Sequence, residues 1–262
     1  MNKIRRMAAS LDIAFTMYSR VPMPMVEWSQ ENMRDAMCFF PLVGALIGLL
    51  FYGWGLLCQA MGFSGVFFAA IAVVLPVLVT GGIHLDGFCD TMDALGSHRE
   101  VEKKLEILKD SHIGAFALIG CGALLIAQLG IFHQFSRHFY GLEVLSLGFV
   151  FSRALSGLAV VRFRCAKTSG LAATFSNAAH KRRVTLVLVG YLVVCAAGML
   201  WLSPILGGAV LLAGAGVFLY YRVMAYRQFG GITGDLAGYF LQLCEAAMAL
   251  VTAIVGGILC AL

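Results

Sequence analysis

"FSGVFFAAIAVVLPVLVTGGIHLDGFCDTMDAL", Phe63 to Leu95, is the stretch whose reading decides the fold. Its first part, Phe63–Ile83, carries no charge. At about 1.5 Å per helical residue it is long enough to cross a hydrocarbon layer of roughly 30 Å. Asp86, Asp90 and Asp93 follow at once. A membrane helix ending at a chemically active face accounts for both halves.

The remainder of the chain agrees. Of its 262 residues 60% are hydrophobic and only 13% charged, with a mean hydropathy of +0.87, against about 25% charged residues in a soluble domain. Seven stretches qualify as spans: 36–61, 63–83, 113–135, 142–161, 184–202, 204–224 and 236–262. The expectation is an all-α, polytopic membrane helix bundle of about seven transmembrane helices, forming one domain over residues 1–262. No internal repeat or low-complexity linker stands out. Five prolines and thirty glycines suit membrane helices better than soluble ones. Before the first span, Ile4, Met7, Leu11, Phe15 and Tyr18 recur at helical spacing with Arg5 and Asp12 off the stripe. That pattern predicts an N-terminal interfacial helix. Asp12 and the lack of a small-residue cleavage site argue against a signal peptide.

Orientation follows from the basic residues, which accumulate in cytoplasmic loops. With seven spans, all nineteen Lys and Arg except Arg137 and Arg153 fall on one side, in the N-terminal segment and the loops after spans two, four and six. That side is expected in the cytoplasm, with the C-terminus outside, in a bacterial or archaeal cytoplasmic membrane. The net charge of +5 then reports anionic lipid or a phosphate-bearing substrate, and no nucleic-acid partner is expected. The eight cysteines fall mostly in spans and form no CxxC pair, so they read as small apolar residues.

On a helix, Asp86, Asp90 and Asp93 stand at i, i+4 and i+7, on one narrow face. Like charges at this spacing repel, and acids at a membrane edge are costly. No Lys or Arg lies between them. A divalent cation is the economical compensation, and hard carboxylate oxygens suit Mg²⁺ or Mn²⁺ completed by water and phosphate. The rival reading is a solvated helix start. Gly87 removes bulk beside the first carboxylate and lets something approach closely.

Further candidates lie nearby. Asp110, in "KDSHIG", re-enters the membrane and reads as a functional acid, whereas Glu106 lies on the solvated face of an amphipathic helix over 101–109. "GGITGD", 230–235, places Gly230, Gly231, Thr233 and Gly234 where backbone N–H groups can meet an anion at a helix N-terminus. Asp235 there binds metal or caps the helix. His84 adjoins the cluster, where it can orient a carboxylate or a phosphate, and Arg20 can reach phosphate from the interface. Arg153, inside span four, requires a partner: a substrate phosphate or Glu245.

"GGIHLDGFCDTMDAL", "LEILKDSHIGAFAL" and "GGITGDLAGYFLQLCEAA", with "SRVPMP" and "FFPLVGALIG" before them, resemble in order and spacing the cobalamin synthase family of adenosylcobinamide-GDP ribazoletransferases. The resemblance covers essentially the whole chain. Leu85 stands where many members have Glu and Ala94 where Gly is usual, while the three aspartates are intact. It implies a membrane phosphotransferase that joins adenosylcobinamide-GDP to α-ribazole or its 5′-phosphate and releases GMP. It implies Mg²⁺, with Asp86 and Asp90 as ligands and Asp93 as a ligand or the base. Asp110 and Asp235 are then further ligands or support groups. A homo-oligomer, or association with other cobamide-assembly enzymes, is compatible with it. The alternatives are another Mg²⁺-dependent membrane transferase, of the CDP-alcohol phosphotransferase or prenyltransferase kind, and a transporter. The missing DGxxAR pattern weighs against the CDP-alcohol enzymes, and the missing repeat against the transporter.

Overall fold

The computed structural model describes residues 3–262. They form twelve α-helices and one 3₁₀ turn, Ala36–Cys38: α1 Lys3–Tyr18, α2 Gln30–Met33, α3 Phe40–Met61, α4 Gly65–Thr80, α5 Ile83–Gly96, α6 Val101–Ile107, α7 Ala115–Phe135, α8 Leu142–Arg162, α9 Leu171–Ala178, α10 Lys181–Leu202, α11 Pro204–Phe229 and α12 Gly234–Ala261. Six of these, α3, α7, α8, α10, α11 and α12, are each long and apolar enough to cross a membrane, and α4 with α5 makes the number up to seven. The chain is a multi-pass membrane protein with an all-α fold.

The second expected span, 63–83, is the one that changes shape. Ser64 caps its start by accepting from the Phe67 N–H, and the helix stops at Thr80. Gly81 and Gly82 then adopt φ of 66° and 84°, a left-handed pair that glycine alone enters without strain. They turn the chain through 97° into α5. α4 is therefore only about 24 Å long, and α5 turns from it across the N-terminal ends of α7 and α12.

α8 is the central helix, touching α3, α9, α10, α11 and α12. Gly44 and Gly48 of α3 face the carbonyls of Phe149 and Ser146 with no room for a Cβ, the small-residue contact that lets membrane helices approach closely. One end of the bundle gathers the α3–α4, α7–α8 and α10–α11 turns, where Tyr140 and Ser203 hydroxyls meet at 3.3 Å. The other end gathers α1, α2, α5, α6, α9 and the segments carrying the basic residues other than Arg137 and Arg153. Buried Asp35 is tied there to Arg183 at 2.9 Å, with Arg6 3.8 Å away.

α1 forms as expected but turns Ala9, Ser10, Ile13 and Ala14 inward. Ile4 and Met7 of the expected stripe stay exposed, at 75% and 43%, which suits an interfacial position.

Candidate active site

α5 rests on the N-terminal ends of α7 and α12. A Cβ on Gly87 would come within 2.7 Å of the Asp235 carbonyl oxygen, and one on Gly238 within 2.8 Å of the His84 carbonyl oxygen. The room beside Gly87 is thus filled by α12 itself. This crossing sets Asp235, in the first turn of α12, beside the aspartate face of α5.

Asp86 is exposed, while Asp90 and Asp235 are partly buried. The Asp90 carboxyl is pushed up to about 6, first by burial and then by the negative charges of Asp86, Asp235 and Asp93. Among the described residues no Lys or Arg is ion-paired with any of these four aspartates. Lys167 is the near cation. Its ammonium donates to the Leu105 carbonyl at 2.8 Å, and burial together with Lys109 holds it below its ordinary value.

The other expected site residues fall into distinct positions. Asp93 accepts from the Gly114 N–H at 2.6 Å and the Ala117 N–H at 2.8 Å, one bond on each oxygen. It caps the start of α7, an occupation that weighs against a role as the free base. Asp110 is exposed and turned to His112, accepting from its backbone N–H at 3.0 Å and meeting its Nδ1 at 2.6 Å. Glu106 pairs with Lys103 on the surface, both side chains mostly exposed. Arg20 lies over Gly81 at the bend before α5. Arg153, 1% exposed, donates to Glu245 and to the Phe149 carbonyl at 3.0 Å, the internal pairing of the two arrangements anticipated for it.

The glycine-rich turn divides its work. Gly230, at φ 74°, ends α11, and its carbonyl accepts from Arg164 at 2.7 Å. Gly231 packs against the Arg164–Ala166 backbone without space for a Cβ. Thr233 caps α12 by accepting from the Leu236 N–H at 3.2 Å and donates to Asp235 at 3.3 Å. Ile232, Thr233, Gly234 and Asp235 of this turn line a cavity.

Two cavities meet there. One, of about 240 Å³, is lined by Tyr18, Phe40, His84, Asp86, Ser156 and Leu241, among others. The second, of about 220 Å³, is lined by Lys109, Lys167, Ser169 and Thr233. Leu171, Ala172, Gly234 and Asp235 border both. His84 is 5% exposed, and its Nε2 has no hydrogen-bond partner among the described residues. Tyr18, Phe40 and Lys167 were not singled out as site residues in the sequence. Tyr18 and Phe40 resemble any apolar position there, and Lys167 counts only as one loop charge among six.

Hard, mutually repelling carboxylates, none of them ion-paired to Lys or Arg among the described residues, fit a hard divalent cation. Among the described residues no three His, Cys, Asp or Glu side chains stand close enough to hold an ion by themselves. Such a cation would therefore rely on water and phosphate oxygens for part of its shell.

Comparison with known proteins places this architecture. The family described as cobalamin-5-phosphate synthase matches residues 10–253. An adenosylcobinamide-GDP ribazoletransferase of Lachnoclostridium phytofermentans is 47% identical over 95% of both chains. One of Clostridium botulinum (strain Alaska E43 / Type E3) is 31% identical over 92% of this chain and 96% of its own. One of Treponema denticola is 34% identical over 90% and 94%. No solved structure matches.

Proposed function

The chain belongs to the cobalamin-5-phosphate synthase family, and from that premise we propose how its acidic face carries out the adenosylcobinamide-GDP ribazoletransferase activity. The observation that carries the reading is the approach of Asp86 and Asp235 at one cavity, with Asp90 close enough to feel both charges and no ion pair to any of the three among the described residues.

Asp86 and Asp235 would hold Mg²⁺, or Mn²⁺ in its place. When bound, the ion supplies neutralisation of the phosphate charge that grows during transfer. Asp90, one helical turn beyond Asp86 on α5 and partly buried, is the carboxylate left to accept a proton. It takes the proton of the α-ribazole 3′-hydroxyl at its carboxylate oxygen as that hydroxyl attacks the cobinamide-side phosphorus. One phosphodiester bond forms, the pyrophosphate bond breaks, and GMP leaves. Lys167 and Lys109 line the second cavity, where they neutralise the departing phosphate. Thr233 fixes the Asp235 carboxylate, and Asp93 fixes the start of α7 against α5.

The basic end of the bundle, and the site with it, faces the cytoplasm in this reading, supported by the one-sided distribution of Lys and Arg. The test is direct. The purified chain in lipid vesicles, given adenosylcobinamide-GDP, α-ribazole and Mg²⁺, should release GMP in step with cobamide formation. Absence of GMP with both substrates saturating would overturn the assignment.

A further inference from the structure

We propose that the cavity beside His84 seats the flat aromatic base of the acceptor riboside, and that His84 Nε2 donates to the base's unsubstituted ring nitrogen. The inference rests on the transferase activity above and names the part of the site that selects the acceptor.

Position comes first. The cavity opens beside Asp86, Gly234 and Asp235, so a base held inside leaves its ribose among the carboxylates, where the hydroxyl must lose its proton. Lining comes second. Met17, Tyr18, Met37, Phe40, Val160 and Leu241 supply apolar and aromatic surface, suited to a planar ring with methyl groups. The room of about 240 Å³ accepts a two-ring base and excludes a corrin.

His84 is the third observation. Its ring stacks on Tyr18 at 6.2 Å and meets Phe40 edge-on at 5.9 Å, which fixes its plane. Its Nε2 is buried without a partner, an arrangement that costs free energy unless something supplies the bond. A benzimidazole-type base has one free ring nitrogen and no other polar edge, matching a lining whose one buried, unpartnered polar atom among the described residues is His84 Nε2. Guanine matches less well, because pairing its N–H groups would draw on Asp86, Asp235 and Ser156 and take those carboxylates from the reacting hydroxyl. The donor's charged phosphates instead suit the neighbouring cavity with Lys109 and Lys167. An acyl chain would leave His84 unsatisfied.

The discriminating probe is a pair of acceptors: the α-riboside of dimethylbenzimidazole, and its indole counterpart with CH in place of the free nitrogen. Equilibrium binding to the full chain in lipid is measured without donor, and GMP release is measured separately. The unaltered protein should bind the benzimidazole riboside about tenfold more tightly, the scale of one well-placed hydrogen bond. His84→Phe should lose that preference, and His84→Gln, which keeps an N–H, should retain part of it. Val160→Phe, narrowing this cavity alone, should raise KM for the acceptor and leave KM for adenosylcobinamide-GDP unchanged. Equal binding of the two ribosides by the unaltered protein would overturn the proposal without any variant having to fold. So would a change in donor KM alone in Val160→Phe, which would give the cavity to the guanosine. Discrimination in binding without GMP release would retain the cavity assignment and sink the activity; release without discrimination does the reverse.

Discussion

Gly87 of α5 and Asp235 of α12 touch backbone to backbone, so closely that a Cβ on Gly87 would lie 2.7 Å from the Asp235 carbonyl oxygen. The positions of the acids on both helices depend on that contact. Gly87→Ala should push the helices apart by a few tenths of an ångström or more. Overpacking of this kind costs about 1–3 kcal/mol, whereas small displacements of reacting groups can cost about a hundredfold in rate. A loss of activity exceeding the loss of thermal stability is the expected result. A variant with normal turnover would show that the crossing does not set the site.

Asp90→Asn preserves shape and removes one charge from the repelling set. The variant should insert and fold normally yet lose about a hundred- to a thousandfold in kcat. Glu106→Gln is the control, since Glu106 is paired with Lys103 at the surface, and it should keep its activity. EDTA should abolish turnover in the unaltered protein, and Mg²⁺ or Mn²⁺ should restore it. Full turnover in excess chelator would remove the cation from the mechanism.

The Asp90 carboxyl, raised to about 6, gives the pH dependence its sign. Above about 6 it is ionised and can accept the hydroxyl proton. Below that it is protonated, and kcat/KM should fall about tenfold for each further pH unit. A bound cation moves the break lower, because positive charge favours the carboxylate. The residual activity of Asp90→Asn should lack this limb. A limb of equal slope in the variant would assign it to another group.

Arg153 and Glu245 form an ion pair deep in the bundle. Removing one partner strands the other charge, so Arg153→Met should destabilise the protein by about 3–5 kcal/mol. Adding Glu245→Gln should recover much of that loss. Thermal unfolding of the single and double variants in one detergent measures both. Full stability of Arg153→Met alone would mean the pair is dispensable.

Orientation is read with reporters. A fusion after Ala261 should report the outside, and insertions near Lys104 or Arg182 should report the cytoplasm. A cytoplasmic C-terminus would reverse the bundle or remove one crossing.

Much of this was legible in the sequence because apolar length is a strong signal. Each expected span coincides with a helix, and the i, i+4, i+7 spacing placed Asp86, Asp90 and Asp93 on one helix. Other features depend on partners far along the chain. The bend at Gly81–Gly82 is invisible to hydropathy, which sees an unbroken apolar run up to Ile83. The short helix α9, Leu171–Ala178, was hidden within a loop that reads first as basic. Asp93 looked equivalent to its neighbours until α7 brought the Gly114 and Ala117 amides to it. Tyr18 and Phe40 gained meaning only when α1 and α3 closed on His84.

The contact between α5 and α12 also bears on biogenesis. Helices emerge from the ribosome in chain order, and α12 follows α5 only after all the intervening spans. Until it inserts, Gly87 has no neighbour to meet and the aspartate face of α5 lacks Asp235 opposite it. With Asp235 in the role proposed for it, the nascent protein is expected to stay catalytically silent until α12 integrates and completes the acidic set.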